Sequence, residues 1–388
     1  MELALPPMIE QAVIQRLRAQ GKDEAEIQRI RQAIAMSTSV GGIGPLLKER
    51  VSLQARFGAR VTVVAPLYDA VWEQGGDGLK PTEVVPIGNI LREILEDTGL
   101  TLPMILFDGT LVDAKVWRAP QDAYGEATAC FLDAPEVFST VYVGKADAPE
   151  QTDDREAWRW AALRKQEWLL GRGTLALLRK LGTTARPDLI VVNEAAAAFA
   201  MHSLVQDQFQ QDGFFSEILY LYNDHTPRDV AHPKWTAEQM LRLRVDPRYV
   251  FQIPSRAADA EGRPLDAIDV TRLLWLLSDQ LFGVSLKHAE HITHMPGAGD
   301  IHGKVRAVTN GVSVETWQDA RFRDPRIVGD DERLWSAKME LKERLIQFLI
   351  GPLGLDEAMQ AHLRESPIVV WIRRVTSYKR LDLLADLL

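Results

Sequence analysis

Five short segments of this chain place glycines, hydrogen-bonding side chains or cations directly after apolar runs that predict β-strands. In a doubly wound α/β sheet, ligands bind beyond the carboxyl ends of the strands, so residues in these positions would meet a ligand. Glycines let the backbone approach an anion at a helix N-terminus, amide and imidazole groups hydrogen-bond a sugar, and cationic side chains neutralise a phosphate. The residues are Gly41, Gly42 and Gly44 in SVGGIGP, Asn193 and Glu194 after LIVV, His225 in YNDHTP, Thr309 and Asn310 in AVTNGV, and Arg374 and Lys379 in IRRVTSYKR.

Each segment also fits a structural role. The glycines would serve an ordinary tight turn, Asn193 and Glu194 would cap the alanine-rich helix that follows them, and T-N-G is a common turn sequence. His225 would be a structural loop histidine, and the basic turn near the end of the chain would be a solvated patch. The glycine spacing is not G-x-G-x-x-G, which argues against a nicotinamide-dependent enzyme. For each segment taken alone these alternatives stay open.

Three histidines suggest a metal site at first sight. His288, His291 and His294 are spaced three residues apart, but on a helix these offsets spread over more than half of the circumference, and no cysteine accompanies them. We therefore expect no metal site.

Composition limits the class of protein. A chain of 388 residues suits two domains, or one large α/β domain with part of another. The net charge of -9 argues against a general nucleic-acid partner. Cys130 is the single cysteine, so no internal disulfide forms, and its simplest role is that of a small buried hydrophobe. Because no signal peptide or long apolar run is evident, the sequence predicts a soluble, cytoplasmic protein without a membrane partner.

Alternating apolar runs and amphipathic stretches predict a doubly wound, Rossmann-like α/β fold. Residues 1–34 are expected to form a helical appendage with two amphipathic helices. Residues 35–66 predict a βαβ unit: a strand in AIAMSTSV, a helix from Pro45 to Phe57 and a strand from Val61 to Pro66. Further strands are expected in LPMILF, PDLIVV, SEILYLYND and ESPIVVWI, and a long helix in REAWRWAALRKQEWLLGRGTLALLRKL.

Taken in order, the motifs resemble those of glycosyltransferases of the two-Rossmann-domain (GT-B) type, specifically the α-glucan phosphorylases and the glycogen and starch synthases. VTNGVSVETW, RRVTSYKR, VVNEAAAAF, NDHTPRDVAHPKW and GVSLKHAE look like phosphorylase segments, whereas VGGIGPLLKE and FLDAPEVFSTVYVG are similar to synthase segments. The likeness spans roughly residues 35–388. It implies an N-terminal, acceptor-side GT-B domain over 35–365 and the truncated start of a donor domain over 366–388.

The resemblance implies roles for the candidate residues. Gly41, Gly42 and Gly44 would lie near the transferred sugar and phosphate, with Asn193, Glu194 and Thr309 as further substrate contacts. Asn310 would bind glucosyl hydroxyls, and His225 would stabilise positive charge at the anomeric carbon through its backbone carbonyl. Arg374 and Lys379 would hold the donor phosphate. This suits glycosyl transfer, in which an oxocarbenium-like state forms while charge grows on a leaving phosphate.

Departures from the family pattern matter as well. Ala196 stands where phosphorylases have a histidine, and the lysine that precedes the synthase G-G-L-G loop is absent. The phosphorylase lysine that binds pyridoxal phosphate, and the synthase acidic residue that binds the nucleotide sugar, would both lie beyond Leu388. We therefore expect pyridoxal phosphate only in a complete phosphorylase, and no cofactor on these residues.

Three functions remain from the sequence. The first is an α-glucan phosphorylase-like transferase that moves glucosyl units between α-1,4-glucan and phosphate and is inactive as this fragment. The second is a glycogen synthase-like transferase that uses a nucleotide-activated glucose. The third is a non-catalytic glucan-binding or regulatory module. In each case the expected partners are an α-glucan and a sugar phosphate or nucleotide sugar, with self-association through an exposed apolar face.

Overall fold

The chain divides into two compact units, Met1–Gly311 and Val312–Leu388. The structure is a computed structural model, and it describes residues 5–39, 43–74, 81–140, 153–194, 213–215, 217–226, 233–245, 256–258, 264–295 and 301–370. The predicted boundary after residue 365 lies inside the second unit, and the predicted N-terminal appendage lies inside the first. The predicted three-part division of the chain stays a prediction.

The first unit alternates helices and strands along the chain. Its helices are α1 (Pro7–Ala19), α2 (Glu24–Ser39), α3 (Ile43–Arg56), α4 (Gly88–Ile94), α5 (Arg155–Leu181), α6 (Ala237–Arg242), α7 (Val270–Leu277) and α8 (Leu286–His294), with a 3-10 turn at Thr183–Ala185. Its strands are β1 (Thr62–Pro66), β2 (Ala70–Gln74), β3 (Pro81–Pro86), β4 (Glu96–Ile105), β5 (Leu111–Arg118), β6 (Ala123–Glu126), β7 (Thr128–Asp133), β8 (Leu189–Asn193), β9 (Leu219–Asp224), β10 (Lys234–Trp235), β11 (Arg256–Ala258), β12 (Pro264–Asp269), β13 (Gln280–Gly283) and β14 (Val305–Ala307).

A four-stranded parallel sheet positions most of the candidate site. Its strand order is β14-β13-β9-β8, and every neighbouring pair is parallel. Asn193 pairs with Asn223, Asp224 pairs with Gly283, and Gly283 pairs with Ala307. The four carboxyl ends therefore share one edge, as the sequence predicted for a wound sheet.

The second large sheet is mixed, with the order β1-β7-β5-β4. Only β1 and β7 are parallel, and the segment LPMILFDGTLV forms an antiparallel hairpin of β4 and β5. The turn has Gly109 at φ 88, and the Thr110 N–H donates to Asp108 Oδ1 at 3.1 Å. An Asp-Gly pair favours such a hairpin, because glycine adopts positive φ without steric cost.

One predicted strand is wrong, and a second, in ESPIVVWI, is not formed over its described residues 365–370. Residues 33–39 of AIAMSTSV belong to helix α2, so the expected βαβ unit lacks its first strand over these residues. The buried residues Ile27, Ile30 and Ile34 keep helical spacing up to this segment, and its alanines favour continuation of the helix. The neighbouring predictions for α3, β1, α5, β8 and β9 are confirmed.

Buried apolar residues join these elements. One cluster connects the parallel sheet, the mixed sheet and the helices α5, α7 and α8, with Leu132, Leu169, Tyr222, Leu274, Leu281 and Ile292 among its members. A second cluster contains Ile9, Val13 and Ile27 of the N-terminal helices together with Ala65 of β1 and Phe131 of β7. The two N-terminal helices thus share a core with the mixed sheet. Cys130 is buried as well, and burial raises the pKa of its thiol to about 11.

Gly283 gives a first testable prediction, because β13 passes very close to α8 at this residue. A Cβ at position 283 would lie 2.6 Å from the backbone N and 2.8 Å from the Cα of Ala289. Gly283→Ala should therefore lower the free energy of unfolding by about 2 kcal/mol, a typical cost of overpacking, in urea titrations. Gly303→Ala is the matched control, since nothing lies within 4 Å of the Cβ it would add. Equal stability of the two variants would contradict the close packing.

The second unit is helical over its described residues. It contains α9 (Val314–Trp317), a 3-10 turn (Ala320–Arg323), α10 (Pro325–Val328), α11 (Asp331–Leu353) and α12 (Glu357–Glu365). α11 starts at the N-cap Asp330 and ends at Gly354, which has the left-handed φ of 61 that suits glycine. The Lys342 ammonium donates to the Arg364 and Ser366 carbonyl oxygens at 2.6 and 2.7 Å, tying α12 to α11.

Among the helices that the structure describes, none is long and apolar enough to cross a membrane.

Candidate functional site

The parallel sheet brings most of the described candidate residues to one edge. Asn193 ends β8 and Glu194 follows it, while His225 directly follows β9. Thr309 and Asn310 follow β14 as an exposed extension. The Val308 N–H donates to the Gly283 oxygen at 2.9 Å and the Asn310 N–H to the Val284 oxygen at 3.1 Å, so this extension stays on β13.

Asn193 and His225 are in direct contact. The buried Asn193 Oδ1 accepts a hydrogen bond from Asn223 Nδ2 at 3.0 Å and lies 3.1 Å from His225 Nε2. Because an amide oxygen only accepts, this contact selects the imidazole tautomer that carries its proton on Nε2. Asn193 therefore orients the His225 ring.

Glu194 holds the backbone of the same histidine. Its Oε1 accepts the His225 N–H at 2.9 Å, and its own backbone has a φ of 57, which is strained for a residue other than glycine. Backbone strain of this kind clusters at functional sites. Glu194 Oε2 is buried and finds no hydrogen-bond partner within the described part of the chain.

Burial changes the ionisation of Glu194. Burial raises the pKa of its carboxyl group to about 8, the charge of Asp224 adds to the rise, and hydrogen bonds from His225 and Thr226 oppose it. Glu194 is thus mostly protonated at neutral pH. The capping role that the sequence left open concerns residues after 194, which lie outside the described residues.

His225 stays neutral at physiological pH. Burial lowers the pKa of its imidazole to about 4; Asp224 works against this shift, whereas Arg50 and His288 reinforce it. A neutral ring donates at one nitrogen and accepts at the other, which suits hydrogen bonding to sugar hydroxyls.

Arg50 of helix α3 is a further charged group that acts on His225. It is half-buried, burial lowers the pKa of its guanidinium, and its charge acts on His225. It makes no hydrogen bond or ion pair with residues that the structure describes. A half-buried cation without a partner favours an anionic ligand. Gly44 lies in the first turn of the same helix.

Asp224 and His288 form a buried pair below His225. Asp224 is fully buried at the end of β9, and its Oδ1 accepts the Thr226 N–H at 3.1 Å and lies 3.4 Å from His288 Nε2. The sequence analysis missed Asn223, Asp224 and Arg50 and considered His288 only as a metal ligand. The position of Asp224 at the end of an apolar run was a usable signal, but nothing local indicated its partner.

The α8 histidines do not act together. His288 is buried against Asp224, whereas His291 and His294 are exposed. Among the described residues, no group of three or more histidine, cysteine, aspartate or glutamate side chains is arranged to hold a metal ion.

Asp133, in the synthase-like segment FLDAPEVF, has a structural role. Both of its carboxylate oxygens accept from Arg92 at 2.8 Å, and Oδ2 also accepts from Trp117 Nε1 at 2.8 Å. Arg92 also donates to Asp69 Oδ1 at 2.9 Å. These bonds tie α4 to the ends of β1 and β7, so these carboxylates are engaged within the fold.

The other sequence predictions lie outside the described residues. They are Gly41, Gly42, Arg374 and Lys379, together with the departure at Ala196. Their assigned roles stay predictions. Thr309 and Asn310 share the sheet edge with His225, two strands away, which corresponds to about 10 Å at the usual strand spacing.

The chain matches one family model and several curated proteins. A family model described as the starch synthase catalytic domain matches residues 33–307. Maltodextrin phosphorylase of Thermococcus litoralis is 26% identical over 262 residues, covering 57% of this chain and 31% of the relative. Glycogen phosphorylase of Aquifex aeolicus is 23% identical over 369 residues, covering 81% of this chain and 50% of the relative.

An uncharacterized protein of Methanocaldococcus jannaschii is 23% identical over 351 residues, covering 89% of this chain and 62% of the relative. The chain therefore spans between 31% and 62% of the length of these curated relatives.

A solved structure shares the fold. The catalytic domain of starch synthase IV from Arabidopsis thaliana, bound to ADP and acarbose, superposes with a TM-score of 0.55 at 18% identity. The match covers 83% of this chain and 57% of that one. This likeness confirms the predicted Rossmann-like, GT-B fold class.

Proposed function

The chain belongs to the starch synthase catalytic domain family, and from this premise we propose that it forms the acceptor-side part of a glucan glycosyltransferase with a nucleotide-activated glucose as donor. The family match and the structural neighbour favour this synthase-like function over the phosphorylase-like transfer that the sequence motifs put first. The neighbour is bound to ADP and acarbose. ADP corresponds to the leaving group of a nucleotide sugar, and acarbose mimics a glucan.

The observation that carries the proposal is the arrangement around His225. Glu194 holds its N–H, Asn193 orients its ring, and both lie on the sheet edge that Asn310 shares. A sugar bound over this edge would meet the His225 backbone carbonyl and the Asn310 amide. The carbonyl dipole would stabilise the positive charge that develops at the anomeric carbon.

The leaving group requires positive charge. As the reaction proceeds, negative charge grows on the departing phosphate, and fixed cations lower the energy of that state. The positive charge of Arg50 acts on His225, and Arg50 has no ion-pair partner among the described residues. We assign it to the anionic end of the donor, alongside the roles predicted for Arg374 and Lys379.

A phosphorylase-like function is the second candidate. It is favoured by two of the three curated relatives, which are phosphorylases, although each is at most 26% identical to this chain. Pyridoxal phosphate would then be required, and its lysine is predicted to lie beyond Leu388. Donor preference would separate the two candidates: incorporation from a nucleotide glucose supports the synthase, and incorporation from glucose 1-phosphate supports the phosphorylase.

The isolated chain offers a direct test. We expect these 388 residues to bind maltoheptaose in calorimetry but to transfer little or no glucose, because the resemblance places the donor-binding residues largely beyond Leu388. Transfer would be followed with labelled ADP-glucose, and phosphorolysis as glucose 1-phosphate released from glycogen. Absence of any maltoheptaose binding would contradict the proposed function. Robust release of glucose 1-phosphate would contradict the expectation of an inactive fragment.

A further inference from the structure

His288 and Asp224 face each other beneath the candidate site. Asp224 has no exposed surface and His288 is 6% exposed, and Nε2 of His288 lies 3.4 Å from Oδ1 of Asp224. The two residues are 64 positions apart in sequence and belong to β9 and α8. A buried carboxylate is stable only where hydrogen bonds or a partner cation compensate its charge. His288 is one of the polar groups that surround this buried carboxyl group.

The position of His288 is closely defined. Ser285 caps helix α8 by accepting the His288 N–H at 3.1 Å. One residue further on, Ala289 packs against Gly283 so closely that no side chain would fit on the glycine. Since β13 pairs with β9, the histidine is held at a set distance from the end of β9.

The Asp224 side chain links His288 to the backbone on either side of His225. Asp224 and Thr226 flank His225, and the Asp224 Oδ1 that contacts His288 also accepts the Thr226 N–H at 3.1 Å. The His225 N–H is held separately by Glu194. The peptide groups on both sides of His225 are thus fixed by buried carboxyl groups, one of which is contacted by His288.

We infer that His288 and Asp224 are positioning residues that hold the His225 backbone carbonyl in the orientation required for glucan binding and transfer. Neither touches the open edge of the site, so both act through His225. This inference rests on the proposed function for the role of the carbonyl, but the mechanical link between His288 and His225 can be tested independently of any ligand.

The test compares His288→Leu, which removes the imidazole that contacts Asp224, with His288→Gln, which keeps a polar side chain. His291→Leu, on the exposed side of the same helix, is the matched control. Selective 15N-histidine labelling reports the His225 amide, identified by its loss in a His225→Gln variant. Calorimetry reports maltoheptaose affinity, and urea titration verifies that each variant is folded.

We expect His288→Leu to shift the His225 amide resonance and to weaken maltoheptaose binding about 10-fold, because the polar contact with Asp224 Oδ1 is lost. His288→Gln should lie between the wild type and the leucine variant, and His291→Leu should match the wild type. A folded His288→Leu protein with either an unchanged resonance or unchanged affinity would overturn the inference. If the wild type itself binds no maltoheptaose, the proposed function fails, and the resonance alone decides whether His288 positions His225.

Discussion

Replacing Glu194 by glutamine should raise the free energy of unfolding at pH 8 by several kcal/mol relative to the wild type. Burial first, and the charge of Asp224 second, raise the pKa of this carboxyl group from 4.5 to about 8. The folded protein therefore keeps a proton that the unfolded chain releases. Each pKa unit corresponds to about 1.4 kcal/mol, so the penalty approaches about 5 kcal/mol once pH exceeds the folded pKa.

The stability penalty from Glu194 depends on pH. Below pH 4.5 the carboxyl group is protonated in both states and carries no penalty, and stability falls as pH rises from there to about 8. The difference between Glu194→Gln and the wild type should therefore grow over this range and level off above it. His225 acts in the opposite direction in both proteins, because its pKa of about 4 removes stability as pH falls below 6.5. Comparing the two proteins cancels that contribution.

Urea titrations at a series of pH values measure the difference. Glutamine keeps a side-chain oxygen that can accept the His225 N–H, so glucan affinity at pH 7 should remain close to wild type. Glu290→Gln, at an exposed position on α8, is the matched control and should show no pH-dependent gain. A constant difference between Glu194→Gln and the wild type from pH 5 to pH 8 would show that Glu194 is already ionised in the folded protein.

Asn310→Ala should lower the affinity of the chain for maltoheptaose by at least about 10-fold, because its amide is assigned to the glucosyl hydroxyls. Asn310 is exposed, and its hydrogen bond to the Val284 oxygen is made by its backbone N–H and not by its side chain. The substitution should therefore leave the free energy of unfolding unchanged. A loss of binding without a loss of stability is the signature of a ligand contact.

Calorimetry with maltoheptaose provides the measurement, and Val308→Ala is the matched control two residues earlier on the same extension. His225→Ala tests the other side of the edge, where a loss of binding is also expected. If Asn310→Ala and His225→Ala both retain wild-type affinity, glucan does not bind at this edge. Affinity that persists elsewhere would then favour a glucan-binding module over a transferase.

Local pattern in the sequence was enough for much of the architecture. The apolar runs LIVV and LYLY predict β8 and β9 correctly, because a strand covered on both faces is continuously apolar. The rule that ligands bind beyond parallel strand ends selected Asn193, Glu194, His225 and Asn310, and all four lie at one edge. The order of the short motifs indicated the family, which the family model confirms.

Local pattern failed where competing elements share the same composition. The segment AIAMSTSV is apolar enough for a strand, but its residues 33–39 continue helix α2, since its alanines extend an existing helical stripe. LPMILFDGTLV contains a strand followed by a turn, as predicted, but the strand pairs antiparallel with β5, because the Asp-Gly turn reverses the chain. The motifs also favoured a phosphorylase over a synthase. Short segments that both families share distinguish poorly between these two functions.

The sequence by itself thus determined which residues end strands and which chemical groups they carry. Only the tertiary structure decided that β13 lies between β9 and β14, so that Asn310 is two strands from His225, and that His288 meets Asp224. It also decided that Glu194 holds its proton at neutral pH and that His225 does not gain one. The reason is physical: side-chain periodicity is a local property, whereas strand order, burial and the charges around a buried group depend on residues far apart in the chain.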